Sequence, residues 1–150
     1  MRWSAGEATI ERLLGEGHIE RVRSAQADAE SWLERARRGL VPARMIAEAA
    51  PVSSVILAYE AARQACIALL AQQGLRPTTA GGHDAIEEAI GAQFGGSLRA
   101  IGGLRRRRNE LEYPLSPTEE ATADEAAEAL NAAGEIIDRV AWLLPRLEFF

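Results

Sequence analysis

Apolar residues recur at helical spacing along nearly the whole chain, and no stretch alternates apolar with polar residues between turn signals as a half-buried strand does. A chain patterned this way buries its stripes by packing helix on helix, so the sequence predicts an all-α fold. Its 150 residues suffice for one domain around one core. The strongest stripe opens at Pro51. Val55, Tyr59, Ala62, Cys66 and Leu69 share one face there, with Ile56, Ile67 and Leu70 beside it. A helix this apolar belongs near the centre of a bundle, and Gly74 is placed to close it.

The remaining elements follow from caps and breakers. Ser4 and Glu7 have capping-box spacing ahead of a short helix through Ile10, Leu13 and Leu14 that stops near Gly15 and Gly17. A second helix is predicted over 18–38, with Ile19, Val22, Ala29, Trp32, Leu33 and Ala36 as its stripe and Gly39 as its end. Pro42 then opens a further turn or two to about 49. Residues 75–82 read as a loop. Helices follow over about 83–94, with Ile86, Ile90 and Phe94 inward, and over about 98–112, capped by Ser97. Ser116 and Glu119 form a second capping box, with Pro117 at the first helical position. The last helix runs to about 144, with Leu130, Ala133, Ile137, Val140, Leu144 and Leu147 as its seam. The prediction is an antiparallel bundle of about five helices over 18–150, preceded by a helical arm over 1–17.

Composition narrows the function. The net charge is -5, so a nucleic-acid partner needs a local basic patch. There is no lysine: all 17 basic residues are arginine, and 29 residues are alanine, a bias that GC-rich codon usage explains most simply. One cysteine excludes a disulfide within the chain, and two histidines leave no dedicated zinc site, so neither metal nor cofactor is expected. The longest apolar run, 65–71, falls far short of the roughly 20 residues that span a bilayer. The N-terminus lacks the apolar segment of a signal peptide. A cytoplasmic protein without a membrane partner is expected. Trp3, Trp32 and Trp142 read as core or interface, and the acidic stretch 119–128 reads as a solvated helix face.

The arginines cluster at one place, Arg105 to Arg108. On a wheel at about 100° per residue, Leu98, Ile101, Leu104 and Leu111 form an apolar arc that also contains Arg108 and, one turn later, Glu112. Arg105 lies at the edge of the arc, while Arg106 and Arg107 read as a solvated face. An unpaired charge within the arc would cost several kcal/mol, and Glu112 at i+4 is placed to pair with it. Two readings stay open: a buried Arg–Glu strut that fixes helix register, or an arginine lining a cleft or dimer groove where it meets a phosphate.

The run from Ala58 to Gly74 that begins Ala-Tyr-Glu-Ala-Ala-Arg, the Gly82-His83 step, and the stretch Leu104-Arg-Arg-Arg-Arg-Asn-Glu-Leu-Glu-Tyr-Pro114 together resemble the HEPN superfamily. HEPN domains are small helical bundles of prokaryotic toxin–antitoxin and defence systems and of some eukaryotic nucleases. The resemblance covers about 18–144 and leaves the arm unexplained. It implies a metal-independent ribonuclease motif, an arginine and a polar residue followed about four to six residues on by histidine, with two copies facing each other across a dimer cleft. Arg108 and Asn109 match its first part. The histidine is missing: Tyr113 holds its place, and no histidine follows His83. The pattern instead looks like HEPN branches that end in an acidic residue and tyrosine.

RNA cleavage without metal needs a base for the 2′-hydroxyl, an acid for the leaving oxygen and a cation for the phosphorane. Arg108 supplies the cation. Histidine handles protons well because its pKa of about 6.5 sits near working pH, whereas a tyrosine near 10 is a poor base. Pairing with Arg108 would weaken Glu112 as a base. His83, beside Asp84 at a helix start, is either a capping residue or the proton carrier; His18 reads as a capping residue in the first turn of its helix. The expected protein is a HEPN homodimer that binds RNA or a nucleotide through Arg105 and Arg108. Any cleavage would rest on Arg108, Asn109, Glu112, Tyr113 and His83. Its expected partner is a cognate antitoxin or nucleotidyltransferase. The alternative is an inactive dimerisation scaffold for a partner protein.

Overall fold

The structure, a computed structural model, describes residues 3–150. Among them are six α-helices: α1 (Glu7–Gly15), α2 (Ala29–Met45), α3 (Pro51–Gln72), α4 (Gly82–Phe94), α5 (Ala100–Glu112) and α6 (Ala123–Leu143). One small ribbon joins β1 (Ile19–Arg21) to β2 (Leu75–Pro77), and short 3-10 segments cover Arg23–Asp28, Gly95–Leu98 and Leu144–Arg146. The architecture is thus the predicted all-α bundle.

The centre is α3, packed against α2, α5 and α6. Ala58, Ala61, Ala62, Ala65 and Ala68 are buried around its circumference, so neighbouring helices approach it closely on several sides. Gly39 of α2 lies directly over Ala61. The Ser54 hydroxyl donates to the Ala43 carbonyl at 2.7 Å and ties the start of α3 to the end of α2, which therefore run antiparallel. By length and composition α3 could cross a membrane, but most of it is buried inside the bundle. The seam predicted for the last helix (Leu130, Ala133, Ile137, Val140, Leu144 and Leu147) is buried throughout.

Several local expectations are corrected. The predicted helix over 18–38 is a strand, a 3-10 turn and the start of α2. The ribbon forms because Ile19, Glu20 and Arg21 pair antiparallel with Pro77, Arg76 and Leu75 of the predicted loop. Gly39 does not end α2, and Pro42 does not open a new turn; the helix runs through both to Met45. Gly39 is held against Ala61, and Pro42 stands on the exposed side of the helix, where its ring meets no packed neighbour helix. The Ser4–Glu7 box does not form: Gly6 precedes α1 with φ +73, and no side chain caps the helix. A Cβ on Gly6 would overlap the Ala92 backbone of α4. Ser97 donates to the Phe94 carbonyl inside a 3-10 turn, and α5 starts later, at Ala100. The Ser116–Glu119 box is a turn, and α6 is capped by Thr122, whose hydroxyl accepts from the Glu125 amide at 3.1 Å.

The N-terminal segment packs onto this frame. Ile10 and Leu13 are fully buried in the common core. The Trp3 amide donates to the Phe149 carbonyl at 3.2 Å, and its ring lies 5.7 Å from that of Phe94. Trp32 is partly buried, while Trp142 is half-exposed between Arg139 and Arg146, not in the core.

Because Thr122 caps α6 and Ser116 does not, Thr122→Ala is expected to cost about 1 kcal/mol of unfolding free energy in urea. Ser116→Ala should stay within about 0.5 kcal/mol of wild type.

Candidate functional site

The site is built on α5. Leu98, Ile101, Leu104 and Leu111 are buried, as the wheel predicted, and their burial fixes the rotation of the helix against α3 and α6. That rotation sends the four arginines to different surroundings.

Arg108 lands at the boundary between core and solvent, its side chain 19% exposed. Its Nε lies 2.6 Å from Glu112 Oε2, and its Nη1 donates to Asn109 Oδ1 at 2.9 Å. The guanidinium carbon is 5.7 Å from the ring centroid of Tyr59 on α3 and 5.8 Å from that of Tyr113, within cation–π range of both. Nη2 makes no hydrogen bond among the described residues. Glu112 is exposed, as is Tyr113 at 69%. The pair therefore sits at an open edge and not within the core.

Arg105 turns toward α4, where it pairs with Asp84 at 3.1 Å and with Glu87. Glu87 reaches it over Gly102; a side chain at 102 would collide with that carboxylate. Arg107, expected on a solvated face, is instead a half-buried hub. It holds Glu110 at 2.9 Å, Glu119 at 2.5 Å, Glu125 and the Glu120 carbonyl at 2.8 Å. Two carboxylates of the acidic stretch 119–128 are therefore cross-links and not a solvated face. Arg106 is exposed.

On the facing side of α3, Tyr59 is buried. Burial pushes its phenol up to about 12, against the lowering influence of Arg63 and Arg108. Arg63 grips Glu60 at 2.5 Å. The sequence reading placed Tyr59 on the apolar face and missed its contact with Arg108; a polar-tipped ring in an otherwise aliphatic stripe was the available signal. Cys66, one turn beyond Arg63, is wholly buried, which pushes its thiol up to about 12 and leaves it unreactive.

His83 occupies the first turn of α4, next to the Asp84 that pairs with Arg105; its side chain lies outside the described residues. His18 is not in a helix. It leads into β1, with Nδ1 3.2 Å from Glu16. Among the described residues no group of three or more His, Cys, Asp and Glu is placed to hold a metal ion.

The fold and site define an all-α bundle whose central helix supports an arginine-bearing helix with its cation at an open edge. The HEPN domain model matches residues 29–143, and the chain belongs to the HEPN family. No curated protein and no solved structure matches it.

Two outcomes are expected. Tyr59 has a folded pKa near 12 against an ordinary value of 10.0, so the folded state holds its proton longer than the unfolded chain. Stability present at neutral pH should fall as pH rises from 10 through 12, and Tyr59→Phe should remove that step in an alkaline unfolding titration. Glu112→Gln, which removes the exposed partner of a half-buried arginine, should cost only about 0–1 kcal/mol in urea unfolding; a loss of about 3–5 kcal/mol would mark a buried strut instead.

Proposed function

We propose that the α5 face around Arg108 binds a phosphate of RNA or of a nucleotide, in a cytoplasmic HEPN protein of a toxin–antitoxin or defence system. The observation that carries this reading is the state of Arg108. It is half-buried against Tyr59, has Nη2 without a hydrogen-bond partner among the described residues, and is paired only with exposed Glu112 and its neighbour Asn109. A planar guanidinium held this way is suited to bidentate phosphate binding. Asn109 and Tyr113 stand beside it as hydrogen-bonding groups for the same phosphate, and Arg105 lies one turn away. A homodimer through this face would bring two such edges into one groove. A cognate antitoxin or nucleotidyltransferase is the partner class this reading calls for.

Cleavage would add proton transfer to binding. Arg108 would stabilise the phosphorane charge, and Glu112, Tyr113 or His83 would move the protons. Glu112 is occupied by Arg108, so His83 is the first residue to test. The scaffold reading is favoured by a separate observation: Arg105 and Arg107 are already neutralised by carboxylates of neighbouring segments and act as cross-links.

The test is RNA binding and cleavage in EDTA by wild type, Arg108→Ala and His83→Ala, each checked for folding and oligomeric state. Wild-type binding that falls at least about tenfold in folded Arg108→Ala supports the phosphate site. Cleavage lost in His83→Ala with binding kept assigns the proton carrier. No binding by wild type, together with a misfolded or monomeric Arg108→Ala, overturns the proposal in favour of the scaffold.

A further inference from the structure

A cavity of about 360 Å3 opens on the face that carries the ribbon and shares no lining residue with the Arg108 cluster. That volume falls within the range of small-molecule sites. Val22, Ile67 and Ala71 supply apolar lining, and Trp32 of α2 presents its indole. Ser24 and Asp28 line it from the 3-10 turn that precedes α2.

The charges at this cavity are unequal. Arg76 lines it from β2, but its Nε and Nη2 both donate to Glu20 Oε1 across the ribbon, at 2.8 and 2.5 Å. Asp28 has no ion-pair partner among the described residues. It holds the N-cap position of α2 without its side chain capping the helix. Arg35 reaches the Trp32 ring, 5.9 Å from its centroid, and forms no ion pair with Asp28. An apolar lining, an indole and one uncompensated carboxylate are complementary to a flat ring bearing a positive charge. The ring would lie on Trp32 and the aliphatic residues, and the ammonium would donate to Asp28. An anionic ligand would meet Asp28 with the Arg76 charge already engaged.

We propose that this cavity binds a small aromatic amine, a flat ring carrying a protonated amino group. The proposal does not depend on the function assigned to Arg108. Tryptamine is the probe, and tryptophol, with a hydroxyl in place of the amine, is its neutral counterpart; binding is followed on the Trp32 indole N–H resonance of the full chain. Tryptamine should shift that resonance saturably and bind roughly fivefold or more tightly than tryptophol, an advantage that shrinks with salt. Asp28→Asn, an exposed substitution, should bring tryptamine down to the tryptophol level, while Arg108→Ala should leave both unchanged. Equal binding of the two probes, no effect of Asp28→Asn, or no response of Trp32 would overturn the proposal.

Discussion

The burial of α3 is the constraint on which everything else rests. Its alanines present methyl groups where larger side chains would hold neighbours away, and both Ala65 and Ala68 have no exposed surface. Interiors this close-packed tolerate added methylenes poorly, typically at about 1–3 kcal/mol. With α3 fixed, α5 has one way to bury Ile101, Leu104 and Leu111 against it and α6. That orientation carries Arg108 to the rim of Tyr59. The cation's location thus follows from apolar packing several residues away and not from a charge seeking a partner.

The arginine run divides its tasks by what each residue can reach. Arg107 meets carboxylates of Glu119 and Glu125 and the carbonyl of Glu120, so it ties the segment between α5 and α6 to α5. A lone surface pair is worth little, but several acceptors around one half-buried guanidinium order a chain that has few apolar contacts of its own. Leu115 in that segment is fully exposed, and the segment still keeps a defined path. Arg105 does similar work between α5 and α4, where Gly102 makes room for Glu87.

The long stripes were legible in the sequence because a helix of five or six turns repeats its apolar period often enough to be read; α3 emerged with nearly its observed bounds, and α6 with its seam and its end but with a start six residues too early. The ribbon was not, since three-residue strands contain too few residues to show an alternation, and β1 is stabilised by a partner more than fifty positions away. Ser116 and Thr122 each precede a glutamate by three residues, so local pattern alone cannot choose between them. The choice is made by Arg107, which holds Glu119 and the Glu120 carbonyl outside the helix. Arg107 itself was misread for the same reason: two of its carboxylate partners lie twelve and eighteen residues along the chain. Arg108 was legible because its main partner is one turn away.

That difference in partners also decides which arginine can accept a new anion. To receive a phosphate, a guanidinium must release or share the carboxylates it holds. Arg107 would have to give up several acceptors at once, and with them the path of the segment before α6. Arg108 holds one exposed carboxylate, whose loss costs about 0–1 kcal/mol, while a charge-assisted bidentate phosphate contact returns more than that. Tyr59 remains beneath the guanidinium throughout, so the exchange changes the anion without moving the cation. The residue best able to trade a carboxylate for a phosphate is therefore the one whose pairing is local, exposed and structurally dispensable.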